Sequence, residues 1–217
     1  MTVILVLSMF LVFALVDWIL SRSEARQRAS MPQPAIEPAI VEGFATPETV
    51  RYHPGHGWLV RERKNLARIG ADEFAAALAG KIERIDLPRP GQWIRQGQKT
   101  WAFWRNGQKT EMVSPTEGEV VEANPEIAKD PSLVRRDPYG AGWLMTVHVP
   151  DEEGTTRNLI PKSLVTQWMR DTAERLYARQ TALAGAVAAD GGRPIEDIGA
   201  ALPAEDWVKL TAEFFLT

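Results

Sequence analysis

The dipeptide Asn106-Gly107 constrains this chain more tightly than any other local feature. It stands between strand-like runs, and both central residues of a two-residue type I′ turn need positive φ, which asparagine and glycine tolerate best. The turn therefore predicts a tight β-hairpin and fixes its register. Arg105 opposes Gln108, Trp104 opposes Lys109, Phe103 opposes Thr110 and Trp101 opposes Met112. Trp101 and Trp104 are three residues apart, so they point to opposite faces of their strand.

Further turn signals at Arg89-Pro90-Gly91, Glu117-Gly118 and Tyr139-Gly140 punctuate strand-like segments, so residues 49–150 read as a mostly β domain. One helix interrupts it. Asp72 and Glu73 place acids in a first turn, Phe74 and Leu78 fall on one face, and Gly80 supplies the stop. Residues 151–217 form a helical C-terminal extension. Val165, Trp168, Met169, Thr172 and Leu176 make an apolar stripe opposite Arg170, Asp171, Glu174 and Arg175. Gly191-Gly192 breaks the pattern, and a last helix starts at Pro203 with Trp207, Leu210 and Phe214 on one side. The fold class is α+β, mostly β.

Ahead of the β domain the chain changes character. Residues 1–20 are apolar except for Asp17, and a helix of that length reaches about 30 Å, the depth of a bilayer's hydrocarbon core. The segment is expected to be an uncleaved transmembrane anchor. Arg22, Arg26 and Arg28 follow it and no basic residue precedes it, which predicts a single-pass protein of the cell membrane with its body in the cytoplasm. Residues 21–48 then read as a basic juxtamembrane segment and a proline-rich linker, carrying Pro32, Pro34, Pro38 and Pro47.

Composition narrows the chemistry. There is no cysteine, which removes disulfides, thiolate nucleophiles and cysteine-ligated metals. The net charge of −3 argues against nucleic acid as a partner. Three histidines remain. His53 and His56 are spaced like a ligand pair, but a zinc site needs more ligands, and a strand-entry role is the plainer reading. His148 alternates with Val147 and Val149, so it lies on the opposite face from them. No nucleophile elbow and no phosphate-cradling loop is visible, so no enzyme activity is expected.

Several segments then fall into a familiar order. His56-Gly57-Trp58, the stretch from Ala71 to Pro90, Pro115-Thr116-Glu117-Gly118 and Leu133 to Leu144 with its Asp137-Pro138-Tyr139-Gly140 core resemble glycine cleavage system H proteins. The resemblance implies a barrel-sandwich hybrid of the lipoyl type. It also implies a carrier in which a lysine at a hairpin tip holds lipoate and swings an aminomethyl group between partner enzymes.

The arm positions depart from that pattern. Counting back from Pro115, the family's lipoyl lysine falls on Gly107, and the nearest lysine is Lys109. In the family the residue before the opening-strand tryptophan is a glutamate near the arm; here it is Gly57. Lys109 has two readings: a cross-strand partner laying its stem on Trp104, with a cation–π gain of about 0.5–1 kcal/mol, or a displaced lipoyl acceptor.

The expected protein is thus a membrane-anchored, H-protein-like domain that lacks the lipoyl arm, carries no cofactor and acts as a protein-binding adaptor. Trp104, Arg105, Trp207 and Phe214 are the candidate contact residues, with a protein partner or a second copy facing them. The alternative is a working lipoyl carrier modified at Lys109. A membrane-fusion adaptor of an efflux system is a third reading, but Asn106-Gly107 leaves no room for the long helical hairpin that such adaptors place there.

Overall fold

The computed structural model describes residues 38–184 and 202–216. The expected anchor at 1–20, most of the linker and the Gly191-Gly192 break lie outside the described residues.

Strands β1 (Ala39–Val41) and β2 (Phe44–Thr46) form a small hairpin at the start of the described chain. Next come β3 (Arg51–Tyr52), β4 (Gly57–Arg63) and β5 (Leu66–Ala71). Helix α1 (Glu73–Ala79) leads to β6 (Arg84–Asp86), β7 (Trp93–Ile94), β8 (Lys99–Arg105), β9 (Gln108–Val113) and β10 (Gly118–Ala123). Two short helices, α2 (Pro125–Lys129) and α3 (Leu133–Arg136), precede β11 (Met145–His148). The extension holds α4 (Glu152–Arg157), α5 (Val165–Ala184) and α6 (Ala204–Phe215).

The main sheet runs β3-β4-β5-β11-β10-β7 and a second sheet runs β6-β8-β9. Between them lies an apolar core that includes Ile69, Phe74, Leu78, Phe103, Met112, Val120, Leu144 and Val147, each fully buried. This is the mostly β, lipoyl-type architecture with C-terminal helices that the sequence predicts.

Helix α1 begins where the local chemistry places it. Asp72 is extended, and its carboxylate accepts the Ala75 N–H at 2.8 Å, satisfying one of the first-turn donors. At the other end Gly80 takes φ 72°, and its N–H bonds the Ala76 carbonyl. The stretch 125–136, within the region expected to be strand-like, is instead helical: Asn124 caps α2 and Pro125 occupies its first turn, a position where proline loses no hydrogen bond.

The cell-membrane placement expected from the sequence is corrected. Among the described residues no helix is long and apolar enough to cross a membrane. Helix α5 has the length, but Arg170, Asp171, Glu174 and Arg175 line its exposed side, while Met169, Ala173 and Leu176 are buried against the barrel.

Candidate functional site

The β8–β9 hairpin has the register read from its turn. Arg105 pairs with Gln108, Trp104 with Lys109, Phe103 with Thr110 and Trp101 with Met112, with an irregularity between Lys99 and Trp101. Asn106 has φ 48° and Gly107 φ 72°, the two positive values that the tight turn requires. A Cβ placed on Gly107 would meet nothing within 4 Å, so a side chain at the tip has room to extend.

The hairpin's two faces differ. On the outer face Arg84, Trp104 and Lys109 form one cross-strand row and Asp86, Ala102 and Glu111 the next. The cation over the Trp104 ring is Arg84, its guanidinium carbon 4.3 Å from the centroid, and Trp104 Nε1 donates to Asp86 at 2.6 Å. Lys109 is the cross-strand partner of Trp104, as expected, but its ammonium is not the cation over the ring. Its ammonium sits 3.0 Å from one oxygen of Glu111, while Lys99 sits 2.8 Å from the other. The hydrogen bonds from Lys99 and then Lys109 hold the Glu111 carboxyl below the usual range. Small Ala102 floors a cleft of about 220 Å³ between these charged groups.

The inner face is closed by helix α6. Thr110 Oγ1 donates to Thr211 Oγ1 at 2.7 Å, and the Arg105 guanidinium lies 5.8 Å from the Trp207 ring. Trp207 Nε1 reaches the carbonyl of Leu78. Of the four candidate contact residues, only Trp104 is therefore partly exposed. Arg105, Trp207 and Phe214 are buried within the domain, Phe214 against Phe74 and Arg175.

Gly57 lies beneath the Pro115 ring, where a Cβ would come within 3.3 Å of Cδ. A longer side chain there requires the proline to shift. Beside it, Trp58 is completely buried, and its Nε1 bridges the carbonyls of Ala71 and Pro138, tying the opening strand to the Asp137-Pro138-Tyr139-Gly140 turn.

The paired histidines mark a buried cluster that the sequence did not reveal. His56 Nδ1 is 2.8 Å from Asp72 Oδ2, and its ring stacks on Phe74 at 4.2 Å and on Trp168 at 4.8 Å. A signal existed: the pair Gly57–Ala71 closes the β4–β5 ladder, so His56 and Asp72 flank it one residue further out. Neither histidine forms a metal site, and no cluster among the described residues could hold one. His148 is exposed between buried Val147 and Val149, as its alternation predicts.

His53 gives a measurable pH dependence. Burial, and then the neighbouring His56, lower its pKa from 6.5 to about 4, and its Nδ1 accepts the Gly55 N–H at 3.0 Å. The folded state stays neutral where the unfolded chain binds a proton, so stability falls as the pH drops from about 6.5 towards 4. The loss should be roughly 2–3 kcal/mol. Denaturant titrations at pH 7 and pH 4 should show a smaller difference for His53→Asn, whose amide oxygen replaces the acceptor without taking up the proton.

Barrel, capping helix and tight-turned hairpin together define a lipoyl-type domain. The chain belongs to the glycine cleavage H-protein family, whose model matches residues 50–172. The "Glycine cleavage system H protein" of Streptomyces avermitilis is 33% identical over 109 residues, which span 50% of this chain and 87% of that protein. The protein of the same name from Bifidobacterium longum is 36% identical over 107 residues, 49% of this chain and 77% of that one. A crystal structure of a glycine cleavage system H protein from Mycobacterium marinum superposes with a TM-score of 0.50 at 22% identity, covering 58% of this chain and 98% of its own, a likeness of fold.

Proposed function

We propose that this chain is an H-protein scaffold without a lipoyl arm, working as a protein-binding module through the outer face of its hairpin. The observation that carries the reading is the tip itself. The resemblance assigns the family's lipoyl position to Gly107, and Gly107 is the second residue of a two-residue turn that offers no nitrogen for an amide-linked arm. Lys109 lies one rung down, held by Glu111. Trp104, stacked by Arg84, supplies an aromatic anchor beside that tip, the kind of group that concentrates binding energy in protein interfaces.

The second reading, a working carrier modified on Lys109, is favoured by the relatives' names and by the 42% exposure of the Lys109 side chain. Co-expression of the full chain with a lipoate ligase, followed by intact-mass measurement, separates the two. The expected product is unmodified protein. A lipoyl adduct present on the wild type and absent from Lys109→Ala would establish the carrier instead.

A further inference from the structure

Strand β9 ends its sheet: β8 lies on one side of it and, among the described residues, no strand lies on the other. In an antiparallel ladder successive residues direct their backbone groups alternately towards and away from the paired strand. Gln108, Thr110 and Met112 pair inward with Arg105, Phe103 and Trp101, which leaves the N–H and C=O of Lys109 and Glu111 directed outward. Neither of those N–H groups is hydrogen-bonded to another described residue. Helix α6 approaches β9 from the Thr110 side, and Lys109 and Glu111 project their side chains on the opposite face.

We propose that β9 pairs antiparallel with β9 of a second copy, about a two-fold axis through Thr110. Charge complementarity along the free edge sets this pairing. With Thr110 opposite its own counterpart, Lys109 stands opposite the second copy's glutamate at 111, and Glu111 opposite its lysine at 109. Each Lys109 already lies 3.0 Å from its own Glu111, so the four groups form a square of alternating sign. Lys99, 2.8 Å from Glu111, adds a further cation on each side. The two residues with outward backbone groups are the same two that carry the complementary charges, so a single register satisfies hydrogen bonds and ion pairs together. A shift by one residue sets the outward groups of one strand against side-facing positions of the other. An isologous pairing of this kind would join the two three-stranded sheets and cover an otherwise open edge.

Sedimentation of the full chain over a wide concentration range should show a monomer–dimer equilibrium, and the amides of Lys109 and Glu111 should exchange more slowly in the dimer. Lys109→Glu sets like charges across the axis and should weaken association about tenfold or more. The exchange Lys109→Glu with Glu111→Lys restores every opposite pair and should recover it. Lys109→Pro removes one outward donor without touching the bonds to β8 and should abolish pairing. Tryptophan fluorescence and circular dichroism report whether each variant is folded. A wild type that remains monomeric throughout overturns the proposal, as does a folded Lys109→Glu variant that associates unchanged or a charge exchange that recovers nothing. The mass measurement of lipoylation is independent of all these outcomes.

Discussion

Gly107→Lys should convert the chain from one that a lipoate ligase leaves unmodified into one that it labels. The space around this position is empty, so the new side chain leaves the tip directly into solvent, the placement a swinging arm needs. The cost is conformational: φ at this residue is 72°, and a residue with a Cβ in that region loses about 1–2 kcal/mol relative to glycine. That is small beside the stability of an ordinary domain, so the variant should fold. Intact mass after co-expression should show the lipoyl increment, and a Lys109→Ala background should keep it. If Gly107→Lys is folded yet never labelled, the position is not equivalent to the family's acceptor and the count from Pro115 fails.

The second large effect is expected at Gly118, where β10 begins. A Cβ there would stand 2.1 Å from the main-chain oxygen of His148, far inside contact distance. The oxygen belongs to β11, which pairs with both β5 and β10, so neither strand can retreat without disturbing the main sheet. Gly118→Ala should therefore destabilise the domain by about 3 kcal/mol or more, in the range of overpacked core substitutions. Gly97→Ala is the natural control: its surroundings are open, and it should pay only for its positive φ of 75°. Parallel denaturant curves for the two variants would give the difference directly, and equal midpoints would contradict the steric account.

What could be read in advance was mostly local. The hairpin register follows from two adjacent residues whose backbone preferences admit one turn, and α1 follows from a carboxylate cap and a glycine stop within a single short stretch. The aromatic alternation was equally legible: Trp101 is in the core, and Trp104 is on the outer face. Contacts between distant segments were not. Nothing in the neighbourhood of Arg105 announces that Trp207 will lie over it, and the partner-binding expectation for Trp207 and Phe214 arose because an amphipathic stripe does not say which surface covers it. Lys109 illustrates a subtler limit. Its strand neighbour across the ladder was identified, but its ammonium chose Glu111, two residues along its own strand, and the irregularity between Lys99 and Trp101 hid the second lysine on the same carboxylate.

The closure of the hairpin's inner face by α6 also bears on how the chain emerges during synthesis. Thr110 and Thr211 are 101 residues apart, and at translation rates of about 5–20 residues per second that distance corresponds to roughly 5–20 s. Throughout that interval the nascent barrel has its strands but not the helix that covers Thr110, Arg105 and the carbonyl of Leu78. A segment made about a hundred residues later thus completes the hairpin's inner face, and the nascent domain passes through a state in which that face is uncovered.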